Sequence, residues 1–158
     1  MFQLIVAVIS IALIAALAIA SIFYGGDAFT KSSEKANVTT LVNQAQQIAG
    51  AAALYKTDFG VNVYGADPSV AYPVTTGSTL LTEKYLANAP TASKVASGDW
   101  EIVDGRVTIA LAANADKKAL CEGDGTNKGV IQQQGALCLD GTGAVVEDNT
   151  GETFAFPL

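Results

Sequence analysis

Phe2–Tyr24 reads FQLIVAVISIALIAALAIASIFY and contains no charged residue, no glycine and no proline. At 1.5 Å of rise per residue, a helix of this length covers roughly 34 Å, close to the roughly 30 Å of a bilayer hydrocarbon core. The hydroxyls of Ser10 and Ser21 can bond back to the preceding helical turn, so they do not oppose an apolar environment. We therefore predict a helix here that can cross a membrane.

Three interpretations of this stretch compete. A secretory signal peptide would begin with Lys or Arg and hold an apolar core of about 7–15 residues, so a longer segment without a basic start fits it poorly. A plain transmembrane anchor fits. The interspersed alanines let apolar helices approach one another closely, which favours a helix that is first membrane-bound and then packs against copies of itself.

The helix is expected to continue beyond Gly25 and Gly26. Glycine costs about 1 kcal/mol relative to alanine inside a helix, so this pair predicts a hinge near Ser21–Asp27 in an assembled state. We divide the chain into an apolar half over 1–26 and a globular domain over 27–158. The domain begins with an amphipathic half over 27–56, whose apolar stripe is Val38, Leu41, Val42, Ala45, Ile48, Ala49, Ala52 and Tyr55.

The clearest signal in the rest of the chain is a β-hairpin. Strands over 100–103 and 106–111 flank Asp104-Gly105, a dipeptide that favours the type I′ turn. The fold class is therefore α+β, a long N-terminal helix packed on an antiparallel sheet of about four strands within 99–158. The other predicted elements are a loop over 57–98 containing a short helix over 78–86, a helix over 114–122 with Asn114 as N-cap, strands over 135–139 and 144–147, and an edge strand over 153–156.

Cys121 and Cys138 are the only two cysteines. The segment between them contains EGDGTNKG and QQQG, which cannot fold through hydrophobic burial alone. We therefore predict a disulfide, which for a loop of this size is worth about 3 kcal/mol. The alternative is a pair of buried free thiols in a reducing compartment.

Charge and composition exclude several functions. Nine basic and 15 acidic residues give a net charge of -6, so nucleic-acid binding through clustered cations is not expected. The absence of histidine excludes catalytic triads that contain histidine and zinc sites that have histidine ligands. GDGTNKG lacks the order of a phosphate-binding loop, and Asp99 and Glu101 fit a solvated strand face. We expect no enzymatic activity, no cofactor and no metal, the last because solvated turn acids explain Asp140, Glu147, Asp148 and Glu152 better than a calcium site does.

The whole chain resembles the type IV pilin superfamily, which includes the pseudopilins of type II secretion. The resemblance rests on Phe2–Tyr24, on the segment QQIAGAAALYKTDFG and on the Cys121–Cys138 loop; ADKKALCE before the first cysteine is similar to the type IVb branch. Where family members usually carry glutamate at the fifth residue of the processed chain, this sequence has Ile5. The apolar stretch also lacks the proline that is common there.

The resemblance implies a structural subunit that waits in the bacterial inner membrane and is then drawn by an ATPase-driven assembly machinery into an extracellular helical homopolymer. Such filaments serve adhesion, twitching, conjugation, DNA uptake or phage reception. The alternative is a pseudopilin or minor pilin of a secretion or DNA-uptake system. Met1 would be the processed and methylated N-terminus; the alternative is that Met1 is the initiator residue, in which case this processing is not expected. The residues expected to pack in the filament core are Phe2, Gln3, Leu4, Ile5, Val8, Ile11, Leu13 and Leu17.

Overall fold

The computed structural model describes residues 2–123 and 128–158. Helix α1 spans Phe2–Phe59, a single run of 58 residues that includes Gly25 and Gly26. The chain divides into two compact units, Met1–Glu34 and Lys35–Leu158. This division falls eight residues after the predicted boundary at 26/27.

Within the second unit, α1 contributes one buried stripe to the core. Val38, Leu41, Ala45 and Ile48 are completely buried, and Ala49 and Tyr55 are partly buried against them. These positions recur every three or four residues, which places them on one face of the helix. The predicted amphipathic stripe is thus confirmed.

The sheet is antiparallel and has six strands in the order β1-β2-β3-β6-β4-β5. Its inner face buries Trp100, Ile102, Val107, Ile109 and Phe154. The bounds are β1 Tyr72–Pro73, β2 Ala96–Val103, β3 Arg106–Leu111, β4 Leu137–Leu139, β5 Val145–Val146 and β6 Thr153–Pro157.

The predicted hairpin is confirmed, and β2 begins earlier than expected. Asp104 and Gly105 have φ of 50° and 68°, the two positive values that a type I′ turn requires. Arg106 and Val103 form the last pair before the turn. The strand extends back to Ala96, with a bulge between Ser97 and Glu101.

Several finer predictions were wrong. Strand β6 was expected at an edge, but it lies between β3 and β4 and pairs with both. The predicted loop over 57–98 contains strand β1, which pairs with β2 through Tyr72 and Ile102. The helix over 78–86 is shorter, α2 at Thr79–Thr82, and a short α3 at Val130–Gln133 was not predicted.

The helix expected over 114–122 begins later, and Asn114 does not cap it. The helical segment is a single π-helical turn, Lys118–Glu122, preceded by turns. The Asp116 carboxylate, rather than Asn114, accepts a hydrogen bond from the Ala119 N–H at 3.1 Å. Leu120 and Cys121 are completely buried, so the burial of these two side chains sets where the turn lies.

The predicted disulfide is confirmed. Cys121 and Cys138 are bonded, with 5.9 Å between their Cα atoms and a sequence separation of 17. Both are completely buried. Two glycines pack tightly around them: a Cβ at Gly151 would lie 2.6 Å from Cys121 Sγ, and a Cβ at Gly129 would lie 2.4 Å from the Leu120 carbonyl oxygen. No larger residue fits either position without movement.

Candidate assembly surface

The candidate functional surface is the apolar half of α1, which we define as Phe2–Tyr24. Every residue in it is exposed. The large apolar side chains range from 49% exposed at Val6 to 82% at Phe2 and Tyr24. The buried core of the second unit is built from residues 38–155, so none of this apolar surface belongs to that core.

The residues predicted to pack in a filament core lie on every side of this helix. At 100° per residue, the consecutive residues Phe2, Gln3, Leu4 and Ile5 point in four different directions around the helix axis. A helix that is apolar all round is stable only when it is surrounded by lipid or by other protein. All eight predicted residues are exposed: Phe2, Gln3, Leu4, Ile5, Val8, Ile11, Leu13 and Leu17.

The two serines of the apolar half are satisfied within the helix, as predicted. Ser10 Oγ donates to the Val6 carbonyl oxygen at 2.8 Å, and Ser21 Oγ donates to that of Leu17 at 2.9 Å. Each hydroxyl therefore enters an apolar environment with its donor already paired, which removes the main cost of burying it. The helix is long and apolar enough to cross a membrane.

Gly25 and Gly26 are helical, and nothing crowds them. A Cβ added at either position would meet no atom within 4 Å. Contacts within the chain therefore do not require glycine at these two positions. The hinge was predicted for the assembled state and stays a prediction. Met1, the predicted processing and methylation site, lies outside the described residues.

Two of the acidic residues near the C-terminus, Asp140 and Asp148, accept hydrogen bonds within turns. Asp140 Oδ1 accepts hydrogen bonds from the Thr142 hydroxyl at 2.7 Å, the Thr142 N–H at 2.8 Å and the Ala144 N–H at 2.9 Å. These donors, the Thr142 hydroxyl foremost, lower the pKa of Asp140 below its ordinary value. The Asp148 carboxylate accepts in the same way from the Thr150 hydroxyl and N–H, which lowers its pKa. Among residues 2–123 and 128–158, no three His, Cys, Asp or Glu side chains are grouped to hold a metal.

Asp99 and Glu101 line a shallow depression of about 250 Å³ beside the bulge in β2. Both carboxylates are exposed, in agreement with the solvated strand face expected from the sequence. The remaining lining residues bring no lysine or arginine and no cysteine; they are Ser97, Gly98, Thr108, Ile109, Ala110 and Thr153.

One contact joins the C-terminal end of α1 to the chain after α2. The Tyr85 hydroxyl donates to Asp58 Oδ2 at 2.5 Å, and the Tyr85 and Tyr55 rings meet edge to face with centroids 5.7 Å apart. The hydrogen bond to the Asp58 carboxylate raises the pKa of Tyr85 to about 12. Sequence patterns did not predict this contact, because it joins residues far apart in the chain.

Comparison with protein-family models, curated proteins and solved structures finds no match to this chain.

Proposed function

We propose that the protein is a non-enzymatic structural subunit, anchored in a membrane by the apolar half of α1, that polymerises through this same surface into a type IV pilus-like filament. The observation that carries the proposal is that every residue of Phe2–Tyr24 is exposed, whereas the second unit has a core of its own. Phe2–Tyr24 is not part of the second unit's core, and it is too apolar to remain stable in water. It therefore requires another partner. Lipid supplies that partner before assembly, and neighbouring copies supply it afterwards.

Transfer of the apolar half of α1 from lipid to contacts with neighbouring subunits releases little free energy. Apolar burial is worth about 25 cal/mol per Å² only when the alternative is water, and lipid tails are as apolar as leucine side chains. Extraction of the subunit therefore needs an external energy source, for which the resemblance suggests an ATPase. Once the helix has left the bilayer, its return to water would cost far more than continued packing, so the filament is durable.

Ile5 stands where the resemblance leads us to expect a glutamate, and this difference affects how neighbouring subunits would align in the filament. No acidic residue precedes Asp27. With Met1 as the processed N-terminus that the resemblance implies, its ammonium within an apolar bundle would need a partner, because an unpaired buried charge costs several kcal/mol. The Gln3 side-chain carbonyl and backbone carbonyls of a neighbouring helix are the available acceptors. We therefore assign register to shape packing along Phe2–Tyr24, with Gln3 as the polar contact.

The test is electron microscopy, with immunogold labelling, of cells that produce the chain together with an assembly machinery. We expect long labelled homopolymers outside the cell, and fewer of them in Gln3→Leu than in the conservative control Ile5→Val. Detection of the chain only as a short periplasmic stub would favour the pseudopilin alternative and contradict the major-subunit proposal. If Gln3→Leu polymerises normally while Ile5→Glu improves assembly, the register argument is wrong.

A further inference from the structure

The aromatic residues of the first 34 residues lie only at the ends of the apolar half and just beyond it. Phe2 lies at one end, Phe23 and Tyr24 at the other, and Phe29 follows; all are between 76% and 82% exposed. From Gln3 to Ile22 every large apolar side chain is aliphatic. Tyrosine and tryptophan are enriched at membrane–water interfaces, so Tyr24 has the position of an interfacial residue at the end of the aliphatic stretch, and Phe23 and Phe29 add two rings near it along the chain.

The distance between the two aromatic ends matches a bilayer. From Phe2 to Tyr24 the helix rises roughly 34 Å, and a hydrocarbon core is roughly 30 Å thick. When the aliphatic stretch fills the hydrocarbon, Phe2 lies at one interface and Tyr24 at the other. Phe29, five residues further, then falls within the headgroup layer at the same interface as Tyr24.

Lys31 is placed to reach the lipid phosphates on this side. It follows Tyr24 by seven residues, so the two share a face of the helix about 10 Å apart along its axis. Side chains on a helix lean toward its N-terminus, which here is the direction of the membrane. The exposed Lys31 side chain therefore leans back over the headgroups, where its stem lies along apolar surface and its ammonium meets phosphate.

We propose that Phe23, Tyr24, Phe29 and Lys31 form an interfacial anchor that sets the depth of the chain in the bilayer, with Lys31 bound to lipid phosphate. The inference rests on the membrane-bound stage of the proposed function. One consequence concerns Gly25 and Gly26, which then lie in the headgroup layer. Water there can satisfy the backbone groups that a kink exposes, so the helix can open at this level without leaving unpaired groups in hydrocarbon.

The test measures depth on the full-length chain in vesicles of phosphatidylcholine and phosphatidylglycerol. Single cysteines replace Leu13, Ile22 or Thr30 and carry a nitroxide, while the native cysteines remain bonded and unlabelled. Collision rates with oxygen, which concentrates in hydrocarbon, and with a water-soluble nickel chelate then give the depth of each label. We expect the Leu13→Cys label near the bilayer centre, the Ile22→Cys label near the hydrocarbon boundary and the Thr30→Cys label accessible to the chelate.

The anchor itself is tested with two variants and matched controls. Phe23→Leu combined with Phe29→Leu should shift the Ile22→Cys label deeper, whereas Phe59→Leu, the same change in the second unit, should leave it in place. Lys31→Gln should weaken the preference for phosphatidylglycerol about fivefold, the effect of one basic residue near the surface, whereas Lys56→Gln should not.

Two results would overturn the anchor: a Thr30→Cys label within the hydrocarbon, or anchor variants that behave like their controls. These failures are distinct from failure of the proposed function. If filaments form although the depth profile is wrong, only the anchor is refuted. If the depth profile holds but the chain never polymerises, only the filament proposal is refuted.

Discussion

Gly151→Ala tests whether close packing around the disulfide holds the last strands together. The added methyl group would lie 2.6 Å from Cys121 Sγ, 3.1 Å from Cys138 Cβ and 3.3 Å from Cys121 Cβ. All three atoms belong to the disulfide, and both cysteines are completely buried, so none of them can turn aside. Gly151 does not have a positive φ, so the backbone itself accepts alanine and any cost is steric.

Overpacking of this kind costs about 1–3 kcal/mol. For a chain of this size, that corresponds to a fall in Tm of roughly 2–12 °C. The assay is thermal unfolding of the full chain in detergent micelles, followed by the fluorescence of Trp100, the only tryptophan, which is 1% exposed. Thiol labelling before and after unfolding confirms that the disulfide stays closed.

Gly50→Ala is the matched control. Gly50 is exposed within α1, and a Cβ there would meet nothing within 4 Å. Because alanine has the higher helix propensity, this substitution should stabilise the protein by about 0.5–1 kcal/mol. A second comparison repeats Gly151→Ala in a background with both cysteines changed to serine, where the side chains can rotate and the penalty should fall. Wild-type stability of Gly151→Ala with the disulfide closed would refute the reasoning.

Three further outcomes are expected. Cys121→Ser should lower the free energy of unfolding by about 2–5 kcal/mol in denaturant titrations, and full thiol labelling of the native, unreduced wild-type protein would contradict this. Removal of residues 1–28 should leave a soluble monomer by size-exclusion chromatography, because the core lies in residues 38–155; aggregation at every pH and ionic strength would show that the boundary is misplaced. Tyr85 should ionise near pH 12 in an ultraviolet titration, and the Asp58→Asn substitution should lower its pKa toward the ordinary value. Because folding raises its pKa above the ordinary value of about 10, its stabilising effect is complete below pH 10 and disappears as the pH rises through 12.

The sequence correctly predicted the structural elements that depend only on residues close together in the chain. The apolar half of α1 follows from an uncharged run, and the buried stripe of the second half follows from a 3.6-residue period. The type I′ turn follows from Asp104-Gly105, since this dipeptide accepts positive φ at both positions. Each of these features depends on residues within a few positions of one another, so one stretch of sequence contains all the information.

Apart from the β2–β3 hairpin, the tertiary structure alone decided how the strands pair. Strand β6 lies in the middle of the sheet because it bonds β3 on one side and β4 on the other, and neither partner adjoins it in sequence. Strand β1 has only two residues, one of them Pro73, so it forms only where β2 offers an edge. The π-helical turn at Lys118–Glu122 was misplaced because the burial of Leu120 and Cys121, rather than capping by Asn114, sets its position.

For the candidate assembly surface too, the sequence determined one property and the tertiary structure determined another. Its composition was readable from the sequence, because the absence of charge before Asp27 is a property of one segment. Its availability was decided by the tertiary structure, which builds a complete core from later residues and leaves Phe2–Tyr24 exposed. The physical reason is that composition determines how strongly a segment avoids water, whereas only the packing of the whole chain determines whether that segment has already found a partner.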